Sequence, residues 1–366
     1  MEEIDVAIIG AGVTGLACAH TIARRGYSVC VLERHARPGM ETSTHNSGVI
    51  HAGMYYPPGT LKATLCVEGR GLLYEYCRTH DIAYARCGKL IVAARESEVG
   101  QLESLLARGR ANGVEGLEIV DRAFIARREP AVAAVAALFS PATGIVEAEG
   151  LIRSLLRSAQ AADATFLPGS PILAAENTAD AILIRTPNET MAARQVVNAA
   201  GLYADEVSNL LGGERFRIYP CRGEYAELAA FKRSLIKGLV YPLPPASGHG
   251  IGVHLAPSTG GNVWIGPTAR YQERKDDYES DRQPLETFVE PTRRLLPAVT
   301  LADLRLSGSG IRPKLHPPEQ TFADFMIRRD RDNPRVIQAA GIESPGLTAC
   351  LAIGRMVADL ADEFDR

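Results

Sequence analysis

A glycine-rich turn, Gly10-Ala11-Gly12-Val13-Thr14-Gly15, restricts how this chain can fold more than any other feature of its sequence. It directly follows an apolar run at 4–9, which predicts a buried parallel strand. We expect a helix at 13–25 and a second strand at 27–32 that ends at Glu33. Strand, glycines, helix, strand and acid in this order predict a βαβ unit that binds a dinucleotide.

Each residue of this unit has a physical role in holding the ligand. Gly10 permits the tight turn, Gly12 lets a pyrophosphate approach the backbone, and Gly15 lets helix and strand pack closely. The phosphates then bind the free N–H groups at the helix N-terminus. Glu33 is predicted to accept hydrogen bonds from ribose hydroxyls, and Arg34 beside it is placed among the cofactor-binding residues.

Two later segments indicate that the dinucleotide is FAD. Residues 196–205 predict a strand, a small-residue turn containing Ala200 and Gly201, and a helix. Residues 336–341 predict another strand, and 344–348 lead into a helix whose N-terminus is expected to face the flavin. No second complete G-x-G-x-x-G unit is present, so a separate nicotinamide site is not expected.

Bulk properties exclude several other functional classes. A chain of 366 residues predicts about two domains. The net charge of -3 provides no basic excess for nucleic acid. Seven cysteines without a C-x-x-C pair favour neither disulfides nor a metal site. We therefore expect a cytoplasmic protein with free thiols, and the sequence leaves open a peripheral contact at the inner face of a membrane.

A long specific block follows the dinucleotide unit and carries a resemblance to a known family. Its most specific part is His45-Asn46-Ser47-Gly48-Val49-Ile50-His51-Ala52-Gly53-Met54-Tyr55-Tyr56. Further matching segments lie at 61–63, 65–69, 73–77, 87–93, 222–225, 252–255 and 265–267. On these residues the chain resembles the FAD-dependent D-amino-acid-oxidase-like superfamily (the DAO family). Within it, the chain looks most like the L-2-hydroxyglutarate dehydrogenases/oxidases.

Two segments depart from that narrower group. Gly310-Ile311-Arg312-Pro313 resembles the G-[IL]-R-P of amino-acid oxidases. Residues 341–346 depart from the usual Asn-Ala-Pro-Ser-Pro. Both segments are expected to line the flavin pocket, so they affect which substrate is oxidised rather than the class of chemistry.

The resemblance implies an α/β fold, α+β overall, in which a Rossmann-like FAD-binding domain carries an inserted antiparallel-sheet substrate domain. The FAD-binding domain is predicted to be discontinuous, comprising 1–85, 142–215 and 305–366, and the substrate domain to comprise 86–141 and 216–304. The short strand-like runs at 240–255 and 262–266, broken by Pro and Gly, agree with antiparallel sheet. Residues 98–111 predict an exposed amphipathic helix.

Three residues are candidates for catalysis. Arg312 is predicted to bind a substrate carboxylate, because a planar guanidinium matches a carboxylate bidentately. The resemblance implies the same role, since the arginine of G-[IL]-R-P holds the substrate carboxylate in amino-acid oxidases. His51 and His254 compete for the base that takes the hydroxyl proton. The resemblance places His51 beside the isoalloxazine, where in some relatives a histidine is bonded covalently to the flavin.

Other residues are predicted to line the pocket or hold the cofactor. The pocket candidates, which would also meet a second carboxylate, are Tyr55, Tyr56, Arg222 and Lys314. The remaining FAD contacts are assigned to Thr44, Asn46, Ser47, Gly310, Ile311, Gly346, Leu347 and Thr348. Pro171 and Ile172 are expected to lie in a strand and to offer backbone contacts to adenine.

The leading hypothesis is an FAD-dependent oxidoreductase that converts a 2-hydroxy acid, with L-2-hydroxyglutarate favoured, to the 2-oxo acid by hydride transfer to flavin N5. Oxygen or a quinone would then accept the electrons. One alternative is an amine or amino-acid oxidase of the same superfamily. A second is a non-catalytic flavoprotein, whose flavin no small hydroxy or amino acid would reduce.

Overall fold

The computed structural model describes residues 2–244 and 252–364. The helices of this part are α1 (Val13–Ala23), α2 (Leu61–Thr79), α3 (Val99–Ala111), α4 (Arg122–Arg128), α5 (Ala148–Gln160), α6 (Ala204–Leu210), α7 (Val289–Leu295) and α8 (Gly346–Phe364). Short 3-10 turns lie at Glu96–Glu98, Gly201–Tyr203, Ala230–Leu235, Leu285–Phe288 and Leu301–Asp303.

The strands of the described residues form three sheets. In chain order they are β1 (Glu2–Ile9), β2 (Val29–Leu32), β3 (Val49–Ile50), β4 (Tyr84–Ala85), β5 (Lys89–Ala93), β6 (Glu118–Asp121), β7 (Ala136–Ser140), β8 (Gly144–Val146), β9 (Thr165–Leu167), β10 (Ala174–Asn177), β11 (Ile182–Arg185), β12 (Thr190–Asn198), β13 (Tyr219–Leu228), β14 (Leu239–Pro242), β15 (His254–Pro257), β16 (Val263–Gly266), β17 (Arg270–Tyr271), β18 (Leu304–Lys314), β19 (Met326–Arg329) and β20 (Val336–Ala340).

The first sheet is built around the predicted βαβ unit. β1 lies parallel to β2 on one side and to β12 on the other, and β9 continues the sheet beyond β2. The predicted strand–helix–strand order is confirmed, although α1 ends two residues early at Ala23 and β2 begins two residues late at Val29. Gly26, with φ of +92°, turns the chain between them in a conformation that favours glycine.

Distant parts of the chain complete this sheet. The second half of β12 pairs in parallel with β20, so the strand predicted at 336–341 extends the same parallel sheet. α8 packs against α1, and a Cβ added at Gly354 would lie 2.5 Å from the carbonyl oxygen of Ala17. The main apolar core therefore joins the two ends of the described chain.

The second sheet follows the order β17-β13-β16-β15-β14-β5-β7-β6, with β18 on the other side of β13. Its pairs are antiparallel except for β5 and β14, which run parallel, so the antiparallel prediction requires this correction. The predicted division assigns 305–366 to the FAD-binding domain, yet β18 pairs along its length with β13 of this sheet. Within the predicted run at 240–255, β14 and β15 are seen, and residues 245–251 lie outside the described residues.

Smaller features complete the fold. The third sheet has the order β3-β8-β4. α3 confirms the amphipathic helix, since it buries Leu102 and Leu105. No disulfide joins any of the seven cysteines, all of which lie in the described residues. Across 2–244 and 252–364, no helix combines the length and apolar character that a membrane crossing requires, and no cluster of metal-binding side chains was found.

Candidate active site

A single large cavity of about 980 Å³ runs from the glycine-rich turn to the second sheet. One end is lined by residues of β1, the start of α1 and the end of β2, and the other by side chains of β13, β15 and β18. This volume lies at the upper end of typical small-molecule and cofactor sites. The cavity therefore joins the predicted dinucleotide site to the predicted substrate site.

The glycines of the turn have the geometry that their predicted roles require. Gly10 has a φ of +102°, and a Cβ there would lie 2.6 Å from the carbonyl oxygen of Ala199. A Cβ at Gly15 would lie 1.9 Å from the carbonyl oxygen of Gly10, so only glycine lets α1 pack this closely on the turn. Gly10 and Gly12 line the cavity, whereas Gly15 lies behind it.

Glu33 is fixed where β2 meets the cavity. Its carboxylate accepts hydrogen bonds from the backbone N–H groups of Ala11 and His35, both at 2.8 Å. The guanidinium of Arg34 stacks 3.7 Å from the centre of the Tyr203 ring and pairs with Glu41. These contacts hold a carboxylate and a guanidinium at the end of the cavity where the ribose and phosphates of the cofactor are predicted to bind.

Pro171 and Ile172 also line this end of the cavity. They lie in the connection between β9 and β10, so their predicted position within a strand is wrong. Ala200 and Gly201 line the cavity after β12, at the start of the 3-10 turn. The adenosine end of the predicted site is thus bounded mostly by loops at the carboxyl ends of parallel strands.

A second close backbone approach shapes the middle of the cavity. A Cβ at Gly310 would lie 1.9 Å from the carbonyl oxygen of His45, and the Thr42 hydroxyl donates to the carbonyl of Ile311 at 2.8 Å. The loop after β2 is therefore clamped to β18 where the flavin is predicted to bind. Cavity-lining residues of this region include Asn46, Ser47, Gly310, Ile311, Gly346 and Leu347.

Two predicted FAD contacts, Thr44 and Thr348, do not line the cavity. The Thr44 hydroxyl donates to the carbonyl of Gly39 at 2.6 Å. The Thr348 hydroxyl accepts from the backbone N–H of His51 at 2.9 Å and donates to the carbonyl of Val49 at 3.3 Å. Their hydroxyls hold the protein backbone around the cavity, so their assignment as direct cofactor contacts is corrected.

Arg222 is likewise not a pocket residue. It is 1% exposed and forms a buried ion pair with Glu224 at 3.1 Å. Its remaining donors bind the carbonyls of Asp277, Ser280 and Asp281. All three nitrogens of the Arg222 guanidinium are thus bonded to the protein, so Arg222 stabilises the second sheet and does not contact the cavity.

Arg312 has the opposite environment. It lines the cavity from β18. Among the described residues, its guanidinium donates to the carbonyl of Thr268, at 3.3 and 3.4 Å, and weakly to the Cys221 sulfur at 3.9 Å. Across residues 2–244 and 252–364, no carboxylate lies within ion-pair distance of it. A cation that lines a cavity and whose two terminal nitrogens make only long hydrogen bonds to one carbonyl is suited to bind an incoming carboxylate.

His51 and His254 line the same end of the cavity and are both buried. Burial lowers the pKa of His51 well below 6.5, and the charges of Lys89 and His254 add to this effect. Burial lowers the pKa of His254 to about 3. Both rings are therefore neutral at neutral pH, which is the state that a proton acceptor requires.

Unused polar atoms cluster at this end. His51 Nε2 lies 3.2 Å from the Ser344 hydroxyl, but its Nδ1 has no partner in the described part of the chain. His254 Nδ1 lies 2.9 Å from the carbonyl of Gly252, which can only accept, so Nδ1 carries the proton and Nε2 is left bare, with no partner among residues 2–244 and 252–364. The Tyr55 hydroxyl is a third such atom. Buried polar atoms without partners are rare, and a group of them indicates a ligand site.

Lys89, which sequence reasoning missed, lies behind the cavity wall. Its ammonium is buried without a hydrogen-bond partner in the described residues, 4.0 Å from the ring centre of Tyr241 and 5.1 Å from that of Tyr55. The His254 ring is also stacked on Tyr241, with ring centres 3.7 Å apart. Burial lowers the pKa of Lys89 to about 7. The feature of the sequence that could have indicated this buried lysine is its position as the first residue of an otherwise apolar strand.

Lys62 and Glu343 were also missed, and with the predicted Lys314 they form a charged group on the cavity wall. Glu343 Oε1 lies 2.8 Å from Lys62 Nζ, and Oε2 lies 3.1 Å from Lys314 Nζ. Burial alone would raise the pKa of Glu343, but the two ammonium groups outweigh it and lower the pKa to about 2. Tyr55 and Tyr56 line the cavity as predicted.

The known proteins that this chain resembles are dehydrogenases and oxidases, which agrees with a cofactor cavity of this kind. L-2-hydroxyglutarate dehydrogenase of Arabidopsis thaliana is 35% identical, over 98% of this chain and 83% of the relative, and that of Bos taurus is 33% identical, over 98% and 88%. The FAD-bound L-alpha-glycerophosphate oxidase of Mycoplasma pneumoniae is 28% identical and superposes with a TM-score of 0.91, covering 99% of this chain and 95% of that one.

The model of the FAD-dependent oxidoreductase family named DAO matches residues 5–360, which is nearly the whole chain. The glycine turn with its close approaches, Glu33 at the rim and the clamp between Gly310 and His45 all suit an extended dinucleotide. FAD is therefore the cofactor, and its isoalloxazine end would be held near the residues around Ser47 and Gly310. The chain belongs to the DAO family of FAD-dependent oxidoreductases.

Proposed function

We propose that this chain oxidises a 2-hydroxy acid, with L-2-hydroxyglutarate as the favoured substrate, to the corresponding 2-oxo acid. The observation that carries the proposal is Arg312, a cavity-lining guanidinium with no carboxylate partner in the described residues, in the same pocket as His51 and His254. The names of the similar Arabidopsis and bovine proteins support the substrate.

Substrate binding begins at Arg312. Its two terminal nitrogens face the cavity with one weakly bound carbonyl between them, so a carboxylate can displace that contact and bind both. Holding the carboxylate in this way fixes the neighbouring carbon that carries the hydroxyl. When bound, FAD supplies the two-electron acceptor for the hydrogen on that carbon.

The hydroxyl proton must leave as the carbon is oxidised, and a neutral histidine accepts it. His254 offers its bare Nε2, and His51 offers its unpartnered Nδ1. Both nitrogens are buried, so the proton is shielded from bulk water during transfer. Two bases are therefore available, and comparing the rates of flavin bleaching in His51→Gln and His254→Gln separates them.

The test uses the purified holoprotein under anaerobic conditions. Mixing with L-2-hydroxyglutarate is expected to bleach the visible flavin absorbance, whereas the D enantiomer should not. Arg312→Met should retain bound FAD but lose bleaching by at least about 100-fold, since a lost charge-assisted bidentate contact costs about 3 kcal/mol. Absence of bleaching by the L enantiomer in wild-type holoprotein would refute this substrate.

Amino acids or amines are the second candidate substrates. The motif Gly310-Ile311-Arg312-Pro313 favours them, because the same arginine would bind an amino-acid carboxylate. In the same anaerobic experiment, bleaching by neutral amino acids but by no 2-hydroxy acid would favour this assignment.

The electron acceptor is proposed to be oxygen or a quinone. Adding air-saturated buffer or a soluble quinone to the reduced protein, and timing the return of the flavin absorbance, distinguishes the two. A cytoplasmic location, with peripheral contact at a membrane, remains a prediction, and fractionation of cells into soluble and membrane parts tests it.

A further inference from the structure

A lysine–glutamate cluster, formed by Lys62, Lys314 and Glu343, lies on the cavity wall apart from the Arg312 contacts. Lys62 lies in the first turn of α2, Lys314 ends β18 and Glu343 lies before α8, so three separate parts of the chain bring the charges together. Their side chains are 5%, 13% and 9% exposed respectively. Such burial of three charges requires mutual pairing.

The cluster carries one uncompensated positive charge. Glu343 is the ion-pair partner of both lysines, and no other carboxylate of the described residues lies within ion-pair distance of either ammonium. Lys314 also lies 3.4 Å from His316 Nε2, and burial lowers the pKa of His316, so this ring adds no charge at neutral pH. Two ammonium groups and one carboxylate leave a net charge of +1.

Donor capacity also remains. An ammonium has three N–H groups, and Lys62 directs a hydrogen bond to Glu343 alone among the described residues. The rings of Phe322 and Phe325 flank it at 5.3 and 5.5 Å, which shields the charge from water without using a donor. The cluster therefore has both the charge and the free N–H groups to bind a further anion, beside aromatic rings that limit access of water.

We propose that Lys62 and Lys314 form a subsite for the second carboxylate of a dicarboxylic 2-hydroxy acid, and that Glu343 is an internal competitor that sets how tightly this carboxylate binds. The inference rests on the proposed function for the first carboxylate, which Arg312 holds. A dianionic substrate then meets one positive charge at each anchor, whereas a monocarboxylate leaves the cluster unused.

Glu343 competes because it already uses the donors that a ligand carboxylate needs. An incoming carboxylate must share the two ammonium groups with a carboxylate about 3 Å from each of them, and the like charges repel. Glutamine keeps the shape of the side chain and one oxygen acceptor but removes the charge. Removing the competitor should tighten dicarboxylate binding.

The experiment compares holoproteins with L-2-hydroxyglutarate and L-2-hydroxybutyrate, which lacks the second carboxylate. Glu343→Gln should lower KM for the dicarboxylate about tenfold and leave KM for the monocarboxylate within about twofold, because only the former meets the cluster. Lys62→Met should raise KM for the dicarboxylate about tenfold. Glu319→Gln, which removes the same charge from an exposed position, is the matched control and should change neither value.

Direct binding gives a readout that does not depend on turnover. Calorimetry of oxidised wild-type holoprotein should show glutarate binding more tightly than butyrate, and Glu343→Gln should widen the difference. Should Glu343→Gln alone not fold, Lys62→Met/Glu343→Gln removes one charge of each sign, and it should lose most of the preference for glutarate.

A rise in dicarboxylate KM in Glu343→Gln would show that Glu343 positions the lysines, and would overturn its role as competitor. Equal effects on dicarboxylate and monocarboxylate would overturn the subsite. Failure of the proposed function looks different, because neither hydroxy acid would then reduce the flavin. Glutarate and butyrate binding would still decide the role of the cluster.

Discussion

Replacing Lys89 by methionine should stabilise the protein, and the gain should be largest at low pH. Lys89 is 1% exposed, and its ammonium has no hydrogen-bond partner in the described residues. Methionine has a similar length and no charge to bury. Burial lowers the pKa of Lys89 from 10.5 to about 7, so the folded state disfavours the protonated amine.

The magnitude follows from linkage between protonation and folding. The unfolded chain keeps this proton up to pH 10.5, whereas the folded chain releases it near pH 7. The wild type therefore gains stability as pH rises between these values. Below pH 7 the charged lysine lowers the free energy of unfolding by about 5 kcal/mol, since one pKa unit corresponds to about 1.4 kcal/mol, and at pH 9.5 by only about 1 kcal/mol.

Thermal unfolding of the wild type, Lys89→Met and the exposed control Lys237→Met across this pH range measures the effect. For a chain of this size 1 kcal/mol shifts Tm by about 1 °C, so Lys89→Met should unfold about 5 °C higher at pH 6 and about 1 °C higher at pH 9.5. A Tm difference that does not change with pH, or a destabilised Lys89→Met at pH 6, would show that the ammonium is stabilised by its surroundings. Lys237→Met should follow the wild type.

Three further variants test the site. Gly15→Ala places a methyl group 1.9 Å from the Gly10 carbonyl oxygen, so the ratio of visible flavin absorbance to protein absorbance should fall severalfold; full occupancy would refute the packing argument. Arg222→Met removes the buried guanidinium that lies 3.1 Å from Glu224, while Arg282 still pairs with that carboxylate at 3.0 Å, so the free energy of unfolding should fall by about 1.5 to 3 kcal/mol in denaturant titrations. An unchanged stability would contradict this stabilising role. Because burial lowers the pKa of His51, and a base works only when unprotonated, kcat/KM should fall with acid only below pH 6.5. An acid limb centred above 6.5 in the pH–rate profile would argue against a buried histidine base.

The βαβ unit at the glycine turn could be predicted from the sequence because it depends on residues that are close together in the chain. The turn from Gly10 to Gly15 permits few conformations, and the apolar runs beside it have the length and order of a βαβ unit. The ends of α1 and β2 shifted by two residues, because helix termini depend on capping contacts that periodicity does not encode. Whether β18 belongs to the first or second sheet depends on long-range pairing with β13.

The errors within the site also have physical causes. Arg222 and Glu224 lie two residues apart on one strand, so their side chains share a face and can pair. The prediction considered Arg222 without this neighbouring carboxylate and so placed it in the pocket. Lys62 and Glu343 are 281 positions apart, and nothing local indicates that they meet. Lys89 begins a strand buried on both faces, which means that even a terminal lysine of that strand faces the interior.

The pairing of β12 with β20, and of α1 with α8, has a consequence for synthesis of the protein. A ribosome makes the glycine turn at 10–15 about 320 residues before the strand and helix that complete its surroundings, which lie at 336–364. The nascent chain must therefore carry an incomplete nucleotide pocket while these intervening residues are made, and the part of α1 that α8 covers stays exposed until α8 emerges. Chains released early would expose that face, so truncation before residue 346 should yield aggregation-prone apoprotein and not a smaller flavoprotein.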